Sequence, residues 1–363
     1  MSNISVTASS ITGAGGYVGG LIGSANGWTF DNVWASGLVT QTASNNAGGL
    51  MGAMGTYSNA WTGLAYGGKL TNSYATGNVS GSASGYTGGL VGNSSGNSIA
   101  TSYTTGTVTG TGNYVGGLVG YSTTPITSAY ATGVVTGSTH YIGGLVGHSG
   151  AAIATSYASG AVNGTGSNSE RVGGLVGYSY NTITTSYATG NVLVSGANTN
   201  YTGGLVGYST STVTDSYATG TVSGTGVASS RIGGLVGYSS SGNVVNSYAS
   251  GVVNGSGTSS YYVGGLVGSL DGATVSDSSY ITGTVSGASF VGGLVGVTNS
   301  TAVIKGSYTA RPVTGLYDFV GGLVGKLAGT IQVSDAAVGS VPVNGTKYSY
   351  ASGAVTGRYD VGR

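Results

Sequence analysis

The sequence contains no cysteine, three prolines and two histidines, and charged side chains fill only 5% of its 363 positions. Each scarcity removes a class of explanation. Without cysteine there is no disulfide framework and no thiolate for metal or nucleophilic chemistry. Glycine occupies 75 positions but not every third one, and with so little proline a collagen triple helix is excluded. Nine Lys and Arg stand scattered against eight Asp and Glu, a net charge of +1, so there is no basic footprint for nucleic acid. A charged disordered chain is excluded too, because 39% of the residues are hydrophobic. No apolar run approaches the roughly eighteen residues of a membrane-spanning helix. The opening Met-Ser-Asn-Ile-Ser-Val lacks the positive and apolar regions of a signal peptide, so a longer precursor or a different export route is expected.

What is present is a repeat. Gly-Gly-Leu-(Val/Ile/Met)-Gly recurs eleven times, with its leucine at Leu21, Leu50, Leu90, Leu118, Leu145, Leu175, Leu205, Leu235, Leu266, Leu294 and Leu323. Nine of the ten separations are 27–31 residues, and one of 40 marks an insertion around Thr56 to Lys69. A second box, Ser-Tyr-Ala-Thr-Gly-x-Val, alternates with the first. Its aromatic member is Trp34, then Tyr74, Tyr103, Tyr130, Tyr157, Tyr187, Tyr217, Tyr248, Tyr280, Tyr308 and Tyr350. Several glycines per unit oppose helix at about 1 kcal/mol each, whereas Val, Ile, Thr and Tyr favour strand. A unit near 29 residues is shorter than a propeller blade of about 40–45. The period therefore predicts an all-β fold, a single-stranded β-solenoid of eleven to twelve coils, each with two or three short strands and each pairing only with its neighbours. A stack of separate hairpins is the alternative. Low charge suits stacking, since a charge repeated in every coil would face its own copy.

Strand parity sorts the Tyr box, because alternate side chains face opposite ways. Ala75, Gly77 and Val79 form an inward set; Tyr74, Thr76 and Asn78 form an outward one. The rod is thus expected to display a tyrosine ladder (Tyr74, Tyr103, Tyr130, Tyr157, Tyr187, Tyr217, Tyr248, Tyr280) beside a hydroxyl ladder (Thr76, Thr105, Thr132, Ser159, Thr189, Thr219, Ser250, Thr282). The tyrosines either form a binding face or stabilise one another by stacking. A second column, Tyr121, Tyr178, Tyr208 and Tyr238 with His148 and Asn93 as substitutes, reads as a solvated edge. In the glycine box, parity would put Leu and the following residue on opposite faces although both are apolar. A bend, with glycines allowing close approach or positive φ, would bring both inside.

No constellation of reactive residues emerges, so an enzyme is not expected and no cofactor or metal is implied. Glycosidases need two carboxylates roughly 5–9.5 Å apart. Asp215 and Asp277 approach this only as a pair two coils apart, in a position held elsewhere by Thr or Asn. His140 and His148 lack a metal-ligand pattern and read as surface-ladder residues.

The eleven glycine boxes, each followed by a Ser-Tyr-Ala-Thr-Gly-x-Val box, resemble the GLUG repeat of large bacterial surface and secreted proteins. The resemblance covers nearly the whole chain. It implies a secreted or cell-surface, adhesin-like passenger, stalk or fibre segment. One β-solenoid is expected over residues 1–363. Residues 1–64, which hold Trp28, Trp34 and Trp61, would be irregular N-terminal coils serving as a cap. Residues 65–331 would be the regular repeats, and 332–363 a degenerate, open-ended final coil. The leading function is a non-enzymatic structural or adhesive segment whose partner is itself, head-to-tail or laterally. The alternatives are a module docking extracellular polysaccharide or a host surface through the Tyr/Thr strip, and an ice-binding face on the Thr/Ser ladder.

Overall fold

A computed structural model describes residues 1–43, 45–58, 65–82, 85–257, 259–332, 349–357 and 361–362. Trp61, Asp335 and Asp360 lie outside the described residues. No helix occurs among those described. Strands stack in parallel, coil upon coil, into four sheets that run along one rod: one of 22 short strands, two of 12 and one of 11.

A regular coil is divided more finely than the two or three strands expected from sequence. It contains five, such as Arg171–Gly173, Val176–Ser179, Ile183–Thr184, Tyr187–Ala188 and Val192–Val194. The last two belong to the 22-stranded sheet, which takes two strands from each coil. Glycine lies in two of the breaks, at Gly174 and Gly190, whereas the break between Thr184 and Tyr187 is made by the left-handed residue Thr185. In the first coils the same sheet has longer strands, Ser5–Gly13 and Trp34–Gln41.

The leucines of the glycine boxes report the register directly. Each Leu N–H donates to the carbonyl of the next Leu, from Leu21 to Leu50 through to Leu294 to Leu323, at 2.8–2.9 Å. Every coil therefore advances by one strand spacing. The 40-residue separation obeys the same rule, Leu50 N–H donating to Leu90 O at 2.9 Å, because the extra residues leave the rod as a hairpin. Thr56–Ser58 pairs antiparallel with Ala65–Gly67 in that hairpin.

Both apolar residues of the glycine box lie inside. Leu118 and Val119 are fully buried, as are their equivalents from Leu50 and Met51 to Leu294 and Val295. Leu21 and Leu323, towards the two ends, are partly buried against the same core. The chain bends at Gly-Leu between two strands, so the parity of a straight strand does not apply. The glycines permit close approach and do not supply left-handed backbone, since none of the box glycines has such a φ. A Cβ on Gly117 would overlap the carbonyl oxygen of Gly144 in the next coil and lie 2.9 Å from the Ala131 Cβ.

Candidate functional site

The tyrosine column grows out of the alternation Ser-in, Tyr-out, Ala-in, Thr-out. Ser186 and Ala188 are buried, Tyr187 is half-buried, and Thr189 is exposed. The strands pair in register, Tyr157 opposite Tyr187 and Tyr187 opposite Tyr217. Eight rings consequently form one stack, Trp34 through Tyr248. The seven neighbouring pairs have centroids 4.8–5.7 Å apart and interplanar angles of 1–7°. The faces of interior rings are covered by neighbouring rings, which leaves edges and hydroxyls to the outside. Burial, and secondarily the neighbouring tyrosines, raise the pKa of Tyr103, Tyr157 and Tyr217.

The expected ladder needs two corrections, both in one coil. Ser279, and not Tyr280, pairs with Tyr248 and Tyr308. Tyr280 stands in the inward alanine column, pairs with Ala249 and is fully buried. Its hydroxyl donates to Gly251 O at 2.8 Å. The hydroxyl column shifts with it: Ile281 N–H donates to Ala249 O just as Thr219 N–H donates to Ala188 O, so Ile281 occupies the position expected for Thr282. The remaining members follow the expectation. Thr76, Thr105, Thr132, Ser159, Thr189 and Thr219 are exposed, and Ser250 is half-buried.

The serine before each tyrosine forms a buried ladder that sequence parity did not single out. Ser156, Ser186, Ser216 and Ser247 N–H groups each donate to the Oγ of the next serine at 3.1 Å. Each Oγ in turn donates to the carbonyl two residues earlier, as from Ser216 to Thr214 at 2.7 Å. Val33 and Ala129 stand in this column without a hydroxyl, each N–H still donating to the next serine. One position earlier the chain turns through left-handed backbone in coil after coil, at Asn72, Thr101, Ser128, Thr155, Thr185, Asp215, Asn246 and Asp277, with φ from 46° to 53°. Asn and Asp tolerate that region best, which accounts for the two acids in this column. Asp215 accepts a hydrogen bond from Asn246, which stands between it and Asp277.

A second aromatic surface lies where the strands preceding and following the Gly-Leu bend meet. Tyr114, Tyr141, Arg171, Tyr201, Arg231 and Tyr262 ascend one side; Tyr121, His148, Tyr178, Tyr208 and Tyr238 ascend the other. Here rings meet mostly tilted or edge-on, as for Tyr201 and Tyr208 at 73° and Tyr178 and Tyr208 at 79°. Arg171 lies 5.0–5.5 Å from four tyrosine ring centres and also pairs with Glu170 at 2.8 Å. Arg231 lies 5.1–5.5 Å from Tyr201, Tyr238 and Tyr262. Ring faces hold the guanidinium groups here, a cation–π arrangement. The edge is less solvated than expected. His148 and Tyr178 are each only 8% exposed, so His148 is not a surface-ladder residue. Burial pushes its pKa down to about 4. His140 is half-buried, with Nδ1 3.9 Å from Glu170.

Residues 168–193 and 198–223 match the model of the GLUG motif. The chain carries GLUG motifs. No curated protein and no solved structure is significantly similar to it. Each GLUG match covers one turn of the rod, with Leu175 or Leu205 inside and Tyr187 or Tyr217 in the ring stack. The matched coils also contain Arg171, Tyr178, Tyr201 and Tyr208, so part of the aromatic-cation corner lies on them. Among the described residues, no three His, Cys, Asp or Glu side chains gather as metal ligands. No helix there is long and apolar enough to cross a membrane.

Proposed function

We propose that the chain is a non-enzymatic, adhesive structural rod of the cell surface, serving as a stalk segment or a filament subunit. GLUG motifs in a β-solenoid fit a structural repeat protein. The observation that carries the proposal is the unbroken Leu-to-Leu hydrogen-bond ladder, since such a ladder transmits load along one axis. At about 4.8 Å per rung, eleven coils span roughly 50–60 Å. The extracellular location is supported by the GLUG motifs.

The main tyrosine ladder is assigned a stabilising role. Its rings already spend their faces on one another, so a sugar ring cannot stack on the interior members. The test is electron microscopy with small-angle scattering of the purified chain. Rods of one chain length support the stalk version, and fibres many chains long support the filament version. A compact scattering profile with neither would overturn both.

A further inference from the structure

We infer that the wall carrying the tyrosine and threonine columns is an interface, and that its partner is a second copy of this chain laid alongside in a two-fold pair. The wall is the outer face of the 22-stranded sheet. Its two short strands per coil lie in one line, since Trp34–Gln41 pairs with both Tyr74–Ala75 and Val79–Gly81. Eight successive coils, from residues 34–41 to 248–255, each give it a segment of eight residues. No segment is lengthened by an insertion, so no loop projects from this side.

Charge is scarce in the whole chain, but in these coils it is confined to the other sides. None of the eight segments contains Asp, Glu, Lys, Arg or His. Glu170, Arg171 and Arg231 stand at the aromatic-cation corner, Lys69 in the 11-stranded sheet, and Asp215 at the left-handed turn bordering the wall. A surface kept soluble by itself ordinarily carries about a quarter or more charged residues. Loss of charge together with many tyrosines marks instead the core of a protein interface. Large apolar side chains also stand out from the wall: Leu38, Val134, Leu193 and Val252 are 39–42% exposed.

Area and chemistry select the partner. Eight residues at about 3.3 Å by eight coils at about 4.8 Å make roughly 1,000 Å². Stable pairs bury about 800 Å² on each partner. A second copy presents the same columns at the same pitch, so tall Tyr columns can mesh with short Thr columns along the whole wall, as in two sheets packed face to face. Hydroxyls both donate and accept, so identical walls satisfy one another, and no like charges meet. A sugar ring finds no free ring face here, because Tyr187 is stacked on both sides by Tyr157 and Tyr217. The wall is one side of the rod, so pairing closes at two, an isologous contact.

The pairing goes beyond the rod proposal and rests on the fold alone. The experiment is sedimentation velocity with small-angle scattering of the full chain over a hundredfold range of concentration. A reversible species of twice the 35.0 kDa chain mass is expected, with a wider cross-section. Thr132→Lys and Thr189→Lys, at exposed wall positions, should each weaken pairing tenfold or more, because a two-fold pair takes in every new charge twice. Thr123→Lys, exposed just past the strand Val119–Ser122 of another sheet, should leave it unchanged. A chain monomeric throughout, a dimer indifferent to both wall variants, or one weakened equally by Thr123→Lys would overturn the pairing. So would a monomer that binds cellulose or chitin powder through the wall, which would give this face to a polysaccharide. Rod length from the same scattering keeps each of these failures separate from failure of the rod.

Discussion

Replacing Gly204 with alanine tests the claim that the glycine box permits direct contact between coils. The new Cβ would lie more than 1 Å inside ordinary contact with the Gly234 carbonyl oxygen, and 3.0 Å from the Ala218 Cβ. Both are parts of the framework, so neither can rotate away. Relief requires the coils to part where Gly204, Leu205 and Val206 donate to the next coil at 2.9–3.1 Å. Leaving two or three buried groups unsatisfied costs about 1–3 kcal/mol each, or roughly 2–9 kcal/mol altogether. Because solenoid coils couple only to neighbours, the loss should fall at one junction and divide the rod into two weakly joined stacks. Gly15→Ala is the control, since a Cβ there meets nothing within 4 Å. Urea unfolding followed by circular dichroism, with limited proteolysis to locate the break, should show a lower or split transition for Gly204→Ala alone. Equal midpoints for the two variants would refute the close-approach argument.

Ser216→Ala removes the acceptor for the buried Ser186 N–H and should cost about 1–3 kcal/mol, whereas Ala129→Ser completes its ladder and should gain about 0.5–1.5 kcal/mol in thermal or urea unfolding. Tyr187→Ser breaks two stacked pairs and should cost about 1–3 kcal/mol by the same assay, with Ser279 showing that the column accepts serine. His148 has a folded pKa near 4, below its unfolded value of 6.5, so the unfolded chain takes up protons more readily. Its contribution is present above pH 6.5 and is lost as pH falls toward 4; His148→Tyr should flatten that part of the stability profile. The raised pKa values of Tyr103, Tyr157 and Tyr217 act in the other direction, so stability should fall as pH rises past 10, and less steeply when one of them is replaced by phenylalanine.

The period, the inward Leu and Ala/Val columns and the outward Tyr and Thr columns were legible because like residues recur once per coil. Three features were hidden for physical reasons. Parity assumes a straight strand, so the Gly-Leu bend that turns Leu118 and Val119 inward together stood only as one option, and the resulting five strands per coil were missed. Box matching aligned Tyr280 with the tyrosine column; aligning Asp277-Ser278 with Asp215-Ser216 instead places Ser279 there, as the pairing requires. The aromatic-cation corner joins columns on either side of a bend. Alternating Arg171, Tyr201 and Arg231 in one column hinted at it, but their ring partners across the bend are not given by period alone.

The central claim is that each unit of about 29 residues lays down one rung. Since the chain has no native cysteine, paired spin labels can be introduced cleanly at exposed positions. With one label fixed at Thr219 and the other at Thr132, Thr105 or Thr76, the sites lie three, four and five rungs apart. Electron–electron distance measurements should centre near ~14, ~19 and ~24 Å, rising by about 4.8 Å per coil. Distances that do not climb in equal steps of that size would contradict the one-rung-per-repeat account.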